Sequence, residues 1–404
     1  MITMVDSDTM RIRDGDEGAV LVGQRSPTID ADRCLNLVHR DAGCRRCAVV
    51  CPVDAIDVVG TTPTLDVDRC VGCGVCVAVC PTDVFDAADR TEKRLALSVA
   101  SLTPADLAVV CSRRDDPTTV PASMSSVAAH ERCLASIDAG YLMRLANGGE
   151  RPLILDDTLC ETCPIGSLRS VIVDTVDTAN ALLGDANIEL ASSAPVSAGV
   201  PDVIDGSNPR LSRRGLFGMV AERVTEATGE IQDGALPASR VRLRAEIAEP
   251  GPLEAARVPM ATVHVDVERC TACGSCARFC PTDALVIEEN DDSFDLSFLP
   301  IECLDCGICA VACPEDAIAY GDRIESPMER SSLAAGPLVD CEACKTPTAD
   351  RESDGRILCT WCRRGAGAVR PLHDEAGLFD DLLSRIDRMG DLQPPPNGTE
   401  SDSS

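Results

Sequence analysis

Cysteine spacing is the feature that most constrains this chain. The run Cys70-x2-Cys73-x2-Cys76-x3-Cys80-Pro81 places three thiols so close together that they can hold three corners of one iron-sulfur cubane, while the fourth cysteine reaches a neighbouring cluster. A closely related stretch returns later in the chain, because LDVDRCVGCGVCVAVCPTD from residue 65 matches VDVERCTACGSCARFCPTD from residue 265. One module therefore occurs twice.

Each copy of the module carries two such motifs. In the first copy Cys44-x2-Cys47-x3-Cys51-Pro52 precedes the Cys70 run, and the second copy has the runs Cys270-x2-Cys273-x2-Cys276-x3-Cys280-Pro281 and Cys303-x2-Cys306-x2-Cys309-x3-Cys313-Pro314. Zinc prefers well-separated Cys-x2-Cys pairs that close a tetrahedron, so these runs argue against zinc. The paired motifs predict two clusters in each copy.

These motifs closely resemble those of the bacterial-type two-cluster ferredoxin family, over residues 26–90 and 262–320. The resemblance implies a β-α-β-β-α-β fold with a 4Fe-4S cluster near each end and crossed ligands. Carried over residue by residue, it implies four ligand sets: Cys34, Cys44, Cys47 and Cys80 for cluster 1; Cys51, Cys70, Cys73 and Cys76 for cluster 2; Cys270, Cys273, Cys276 and Cys313 for cluster 3; and Cys280, Cys303, Cys306 and Cys309 for cluster 4.

Cluster 1 departs from the family pattern at its first ligand. The family separates its first two ligands by two residues, whereas LNLVHRDAG separates Cys34 from Cys44. We favour Cys34 as the ligand because longer first gaps occur in iron-sulfur runs and no other free cysteine is nearby. The alternative is a cluster held by three cysteines, with Cys34 spare.

Between the two copies, the chain reads as alternating strands and helices. The apolar runs LALSVA, DLAVVC, RPLILDD and ANIELAS predict strands, and the patterns of residues 138–147 and 169–183 predict helices. Cys111, Cys133 and Cys160 lie near the carboxyl ends of predicted strands, and such ends meet along one edge of a parallel sheet. Together with Cys163 they are expected to converge on one site, called the middle site below.

The stretch CLASIDAGYLMRLANGGERPLILDDTLCETCPIG resembles the iron-sulfur delta subunit of hydrogenase and heterodisulfide reductase complexes. This resemblance implies a 2Fe-2S cluster on Cys111, Cys133, Cys160 and Cys163, and electron transfer between subunits. A zinc site and buried cysteines that pack as small apolar residues are the alternative interpretations.

A second type of cysteine pattern lies near the C-terminus. Cys341-x2-Cys344 and Cys359-x2-Cys362 have a spacing close to that of zinc ribbons, and we expect zinc on these four residues, called the ribbon site below. A rubredoxin-like single iron or a redox cysteine pair would use the same ligands.

The pair Arg213 and Arg214 in SRRGLF resembles a twin-arginine export signal and also the opening of ferredoxin-like accessory proteins of nitrate reductase systems. Charged residues follow it instead of an apolar run, so export is not expected. An amphipathic helix that docks a partner and a plain linker helix are the two interpretations.

Charge and composition limit the function classes. The formal net charge of −29 disfavours nucleic-acid binding, which needs a positive surface. An acidic surface with only two lysines, Lys93 and Lys345, resembles that of proteins from salt-loving archaea, and an acidic face for a basic partner is the alternative. Neither a secretory signal nor a long apolar stretch is visible, so we expect no membrane insertion and a reducing, cytoplasmic compartment.

The chain offers little for catalysis. It contains no nucleotide-binding glycine motif, and its histidines are not at ligand spacing, so each is expected at the surface or at a cap. These histidines are His39, His130, His264 and His373. No catalytic residue is assigned.

The sequence thus predicts an α+β protein in which two ferredoxin-like β-α-β-β-α-β modules flank an α/β domain, with a small zinc-ribbon-like knuckle. Its segments are an acidic N-terminal segment 1–24, a ferredoxin-like domain 25–93, an α/β domain 94–192, a linker with the Arg-pair helix 193–258, a second ferredoxin-like domain 259–325, the knuckle 326–370, and a helix with a disordered tail 371–404.

The expected function is iron-sulfur electron transfer, as the relay subunit of a larger oxidoreductase complex without its own substrate site. Its cofactors would be four 4Fe-4S clusters, a 2Fe-2S cluster and zinc, and its redox partner a flavin- or molybdenum-containing subunit. The alternative is an accessory or maturation factor for a molybdenum oxidoreductase. A reductase acting at the middle site would need an open coordination position.

Overall fold

The structure of the chain is a computed structural model that describes residues 26–87, 91–102, 106–117, 124–184, 188–191, 202–205, 236–247, 251–353 and 355–365. The predicted acidic segment 1–24, the Arg213 and Arg214 pair, and the predicted tail 371–404 lie outside these residues. Helices and strands both occur throughout the described ranges, which confirms the mixed α+β class.

The described helices are α1 Leu35–Val38, α2 Arg46–Val49, α3 Val75–Val79, α4 Thr91–Leu102, α5 Ala139–Leu145, α6 Arg169–Leu183, α7 Ala238–Glu246, α8 Ser275–Arg278, α9 Ile308–Ala312 and α10 Thr360–Arg363, with 3-10 turns at Ala31–Arg33, Leu134–Ser136, Cys160–Thr162, Gly166–Leu168, Ala255–Arg257 and Pro300–Glu302. A search of the described helices for one long and apolar enough to cross a membrane finds none.

The described strands are β1 Thr28–Ile29, β2 Ile56–Val59, β3 Thr62–Leu65, β4 Phe85–Asp86, β5 Leu107–Cys111, β6 Ser126–His130, β7 Leu153–Asp156, β8 Ile188–Leu190, β9 Asp202–Ile204, β10 Leu253–Glu254, β11 Thr262–Val265, β12 Leu285–Glu289, β13 Ser293–Phe298, β14 Ile318–Gly321, β15 Arg323–Ile324, β16 Ser331–Asp340, β17 Pro347–Ala349, β18 Glu352–Ser353 and β19 Arg356–Ile357.

The chain divides into two compact units, which do not coincide with the segments expected from the sequence. The first unit takes Met1–Val265, Gly274–Ile287 and Leu296–Leu333. The second takes Asp266–Cys273, Glu288–Asp295 and Ala334–Ser404. Each unit is described by itself below.

A parallel sheet forms the centre of the first unit, with its strands in the order β8-β7-β5-β6-β9. Val109 of β5 is in register with Ala128 of β6 and with Leu155 of β7. The strand β7 is buried along its whole length, as expected for a sheet covered on both faces. The same core includes Leu142 of α5 and Ile172 of α6.

Most sequence predictions for this sheet are confirmed. The runs DLAVVC, RPLILDD and ANIELAS contain β5, β7 and β8, and α6 begins and ends at the predicted residues. The strand prediction for LALSVA is wrong, because this run lies in α4, where Leu95, Ala96 and Val99 are buried at helical spacing. The strand β9 falls within the segment 193–258 that the sequence assigned to a linker, and it pairs with β6.

Short antiparallel pairs frame the cysteine motifs of the first unit. In the first copy, β1 pairs with β4 and β2 pairs with β3. In the second copy, β11 pairs with β14 and β10 pairs with β15. Helices α3, α8 and α9 each begin after a glycine in the left-handed conformation, which allows the motif to turn tightly between two ligands.

Helix α7 joins three regions of the first unit. It lies along α5, where Arg242 pairs with Asp138 and stands 4.0 Å from the centre of the Tyr141 ring. At its start the backbone N–H of Ser239 donates to Asp83 Oδ2 at 3.3 Å, in the first copy of the module. At its end Arg244 Nη1 lies 2.7 Å from Glu302 Oε1, in the second copy.

In the second unit, β16 pairs with β17 and β18 pairs with β19. The loop 266–273 packs on these elements through Thr271, which is buried. The carbonyl of Thr271 accepts hydrogen bonds from the Thr348 hydroxyl at 3.0 Å and from the Ala349 N–H at 3.1 Å, and its hydroxyl lies 2.9 Å from that of Thr360. The loop is thereby attached to the segment that carries the ribbon site.

Candidate metal centres

Asn36 closes the long gap between the first two ligands of cluster 1. Its side chain is buried, donates to the Cys44 carbonyl at 3.0 Å and accepts from the Cys44 N–H at 2.7 Å. These two hydrogen bonds, called the Asn36 clasp below, turn the connecting segment back on itself and bring Cys44 beside Cys34. Cys34 and Cys80 belong to one buried cluster, and Cys47 packs against it. Burial, and then the charges of Cys80, Cys44 and Cys34, raises the pKa of Cys47 to about 11.

The cluster 2 ligands also come together. Burial raises the pKa of Cys73 to about 11, with smaller contributions from the charges of Cys51 and Cys70. Burial, and then the charges of Cys73, Cys70 and Cys51, raises the pKa of Cys76. The N–H of Ala55 donates to Cys51 Sγ at 3.2 Å. Cys51 thus lies with the ligands of the following motif, which is the crossing that the ferredoxin resemblance implies.

The cluster 4 ligands line a cavity of about 380 Å³. Its wall contains all four implied ligands: Cys280, Cys303, Cys306 and Cys309. Burial, and then the charges of its neighbours Cys303, Cys309 and Cys280, raises the pKa of Cys306 to about 12. The Tyr320 hydroxyl lies 3.5 Å from Cys309 Sγ, where it can donate a hydrogen bond to a ligating thiolate.

The implied ligands of cluster 3 fall in different units. Cys270 and Cys273 belong to the loop of the second unit, and Cys276 and Cys313 belong to the first. Within the first unit Cys276 is buried on α8, and the N–H of Ala317 donates to Cys313 Sγ at 3.3 Å.

The middle site lies at one edge of the parallel sheet. Cys111 is the last residue of β5, while Cys133 follows β6 and Cys160 follows β7. These three strands are neighbours in the sheet, so their carboxyl ends lie side by side. All four cysteines, including Cys163, line one cavity of about 460 Å³. The convergence expected from the sequence is therefore present in the structure.

Local backbone geometry closes this cavity on one side. A side chain at Gly166 would collide with the Cys160 carbonyl, so only glycine fits there. The N–H of Gly166 donates to the Cys163 carbonyl at 2.9 Å. Burial, and then the charges of Cys111, Asp157 and Cys163, raises the pKa of Cys160 to about 11. A metal group that binds these thiols would displace their protons, because thiolates are the ligating form.

The residues of the middle site fit an iron-sulfur cluster. Four thiols line one cavity there, which is the donor set of a 2Fe-2S cluster. Arg113 lines the cavity, and its Nη1 atom is buried with no hydrogen-bond partner among the residues that the structure describes. Arg132 and Arg169 also line it. A cluster held by four thiolates is anionic, and its sulfurs accept hydrogen bonds, so it would supply the partner that Arg113 lacks.

The ribbon site has a different geometry. The sulfurs of Cys341, Cys344, Cys359 and Cys362 all lie within 4.8 Å of one another, and the sulfurs of Cys344 and Cys359 are 3.6 Å apart. A tetrahedral zinc ion with Zn–S distances of about 2.3 Å requires S···S separations of about 3.8 Å. The N–H of Cys359 donates to Cys341 Sγ at 3.3 Å. The four thiols therefore fit one metal ion.

The ribbon site differs from the other cysteine groups in the distances between its sulfur atoms. Among the described residues, the ribbon site is the one group whose potential ligand atoms lie this close together. The wider spacing at clusters 1, 2 and 4 and at the middle site argues against a single zinc ion there. It fits polynuclear clusters, in which the cysteine thiolates bind different sulfide-bridged irons and so lie farther apart than the ligands of one ion.

Comparisons with known proteins agree with this chemistry. A family model described as a 4Fe-4S dicluster domain matches residues 42–84 and 269–317. A model described as a 4Fe-4S binding domain matches residues 26–56, a range that includes Cys34 and Cys44. No curated protein matches the chain. The chain is thus an iron-sulfur, ferredoxin-like protein with two 4Fe-4S segments, and these segments support a role in electron transfer.

Sequence reasoning missed the polar groups around the cysteines. His130 was expected at a surface or a cap, and this is wrong, because it is buried and its Nε2 lies 2.9 Å from Ser136 Oγ. Ser136 also donates to Glu92 at 2.6 Å, and Arg132 reaches the same carboxylate at 3.3 Å. Neither this network nor the clasp of Asn36 has a sequence signature, since the partners meet only in the folded chain.

Proposed function

We propose that this chain is the electron-relay subunit of a larger oxidoreductase complex, with four 4Fe-4S clusters, a fifth iron-sulfur centre at the middle site, and zinc at the ribbon site. The observation that carries the proposal is the packing of separate ligand sets in one compact unit. Clusters 1, 2 and 4 and the middle site all belong to the first unit, whose core runs from Val71 and Val75 through the sheet to Met260 and Ile324. A rigid frame of this kind suits transfer over fixed distances.

An iron-sulfur cluster supplies one-electron transfer with little structural rearrangement. The chain contributes the thiolates and the hydrogen bonds that tune the reduction potential. Backbone N–H groups already point at ligand sulfurs, with Ala55 at 3.2 Å from Cys51 and Val84 at 3.3 Å from Cys80. Donors of this kind favour the more negative, reduced state and so raise the potential.

The absence of a separate substrate site is part of the proposal. Two cavities of the described residues are lined by ligand sets, one at the middle site and one at cluster 4. Four cysteines at the middle site would complete the coordination of a 2Fe-2S cluster and leave no open position for a substrate. Electrons would therefore pass to a partner subunit, which we propose carries flavin or molybdenum.

The test is anaerobic metal and sulfide analysis of the full chain, followed by reductive titration with dithionite under EPR and optical detection. Four cubanes give roughly sixteen irons, the middle site adds about two, and the ribbon site should add about one zinc. Fewer than roughly twelve irons would contradict the crossed ligand assignment. Clusters that do not bleach reversibly would refute the relay and favour the maturation factor.

The partner is tested separately, by purifying the chain from its source under anaerobic conditions and measuring flavin and molybdenum in the same fractions. A stoichiometric flavin or molybdenum cofactor that comigrates with the chain is the expected result. A chain that migrates alone, with fully reducible clusters, would show a free electron carrier instead of a complex subunit.

A further inference from the structure

The ligand loop of cluster 2 packs directly against the segment that carries the middle site. A Cβ atom placed on Gly74 would lie 2.8 Å from Ser136 Cβ and 3.1 Å from Arg132 Cδ. Gly74 stands between the cluster 2 ligands Cys73 and Cys76, and Arg132 precedes the middle-site ligand Cys133 in the chain. Only a glycine permits this approach, so the cluster 2 ligand loop touches the segment that carries Cys133.

Shared burial supports the same contact. Val71, Cys73 and Val75 of the cluster 2 loop lie in one continuous core with Leu134 and Ala135, which follow Cys133. The buried Glu92 carboxylate accepts from Ser136 and lies against Arg132, so it fixes this segment from the α4 side. The contact is therefore held by apolar packing and by a buried polar network.

A second contact joins the ligand loops of cluster 1 and cluster 4. Arg46, next to the ligand Cys47, donates from Nη2 to the carbonyl of Asp305 at 2.6 Å, and Asp305 precedes the ligand Cys306. The same Nη2 lies 3.6 Å from the Asp305 carboxylate.

An aromatic contact lies at the same junction. The rings of His39 and Phe279 meet edge to face, with their centres 5.0 Å apart. His39 lies between the cluster 1 ligands Cys34 and Cys44, and Phe279 precedes the cluster 4 ligand Cys280. Two independent contacts therefore hold these loops together.

We propose that the first unit places its ligand sets next to one another in the order middle site, cluster 2, cluster 1, cluster 4. Gly74 lies at the first junction, the crossed motifs that clusters 1 and 2 share form the second, and Arg46 lies at the third. The proposal rests on the proposed electron-relay function and deepens it, because it assigns the middle site to one end of the relay. Each transfer in this order moves one electron from a reduced donor centre to an oxidised acceptor centre, and no bond or proton is exchanged. The first electron comes from a redox partner protein, or from dithionite in the test.

The junction at Gly74 can be tested with a closely matched pair of variants. Gly74 and Gly307 occupy the same place in their motifs and have almost the same left-handed φ, at +80° and +74°. An alanine at either position carries the same backbone strain. A Cβ at Gly307 would meet only the Tyr320 hydroxyl, at 4.0 Å, so Gly307→Ala lacks the collision with Ser136 and Arg132.

The measurement is EPR of the fully reduced full chain, in which neighbouring paramagnetic centres split or broaden each other's signals. The unmodified chain should show a middle-site signal that broadens as cluster 2 becomes reduced. Gly74→Ala should lose most of this broadening while keeping the iron content of the unmodified chain, and Gly307→Ala should retain it. Equal broadening in all three proteins would overturn the placement of the junction.

A second comparison keeps the proposal falsifiable if Gly74→Ala fails to fold. In the unmodified chain, stepwise reduction should change the relaxation of the middle-site signal at the step that reduces cluster 2. This reduction step is assigned to cluster 2 because it should be lost in Cys73→Ser and should survive in Cys306→Ser. A middle-site signal that ignores every 4Fe-4S reduction step overturns the order but leaves the relay function standing. Clusters that are redox-inert would overturn the proposed function itself.

Discussion

Replacing Asn36 by alanine tests how the long first gap of cluster 1 is closed. The change removes both hydrogen bonds to Cys44, at 2.7 and 3.0 Å, and leaves the N–H and the carbonyl of Cys44 without these partners. Each hydrogen bond contributes about 1 kcal/mol net, and a buried group left unsatisfied costs about 1–3 kcal/mol. We therefore expect the closed loop to lose about 2–4 kcal/mol.

This free energy translates into a rate. At about 1.4 kcal/mol per factor of ten, the open loop becomes about thirty-fold to a thousand-fold more populated. If iron is lost from the open loop, a strong chelator should remove about four irons per chain faster by a similar factor, up to the limit set by ligand exchange. The assay follows chelator-bound iron against time under anaerobic conditions.

The chain offers a matched control for this experiment. Asn180 makes the same double clasp, donating to the Ile188 carbonyl at 2.9 Å and accepting from the Ile188 N–H at 3.3 Å, but it joins α6 to β8 and no cysteine. Asn180→Ala should lower the free energy of unfolding by a similar amount and leave the early phase of iron release unchanged. Equal early phases in both variants, or none in Asn36→Ala, would refute the reasoning.

Three further predictions follow. Arg113→Gln should lower the reduction potential of the middle-site centre by about 60 mV in a redox titration. A charge-assisted hydrogen bond is worth about 1.5 kcal/mol, and the potential of a one-electron couple shifts by about 59 mV for each tenfold change in the equilibrium constant. Arg113→Lys should restore most of the potential. Cys341→Ser should remove about one zinc per chain, because the ribbon site loses one of its four thiolates, whereas Thr271→Val should leave the zinc content unchanged; full zinc in Cys341→Ser by metal analysis would contradict this. The chain has a net charge of −29, so its thermal unfolding temperature should rise as potassium chloride increases from about 0.1 to about 1 M. Over this range the Debye screening length falls from about 10 to about 3 Å, which weakens the repulsion between acidic side chains. An equal osmolality of sucrose should give a smaller rise.

The sequence predicted those features that depend on local pattern. Apolar runs such as DLAVVC and RPLILDD became buried parallel strands. Cysteine spacing predicted the ligand sets, including the crossing at Cys51, and these sets stay predictions. The run LALSVA misled because a short apolar stretch fits a strand or a helix equally well. The buried side chains of this run, Leu95, Ala96 and Val99, follow helical spacing, but the sequence alone does not show which of its side chains are buried.

Features that depend on distant contacts could not be predicted in this way. Helix α7 has a mostly polar sequence, and its position follows from pairing with Asp138, Asp83 and Glu302, which lie far apart in the chain. His130 gave no signal of burial, since its partner Ser136 is brought to it by the turn at Cys133. Such interactions depend on tertiary packing, which a linear pattern does not encode.

The two ferredoxin-like segments are near repeats in sequence, yet their surroundings differ. The turns at Gly74 and Gly307 have almost the same backbone conformation, but Gly74 is covered by Ser136 and Arg132, whereas the nearest group to a Cβ at Gly307 is the Tyr320 hydroxyl at 4.0 Å. Since each motif is chemically equivalent, ligand identity alone cannot decide which centres exchange electrons. If the proposed relay is correct, the residues that touch the turns make that choice, and substitutions at Gly74 and Arg46 should alter electron exchange while every cysteine stays in place.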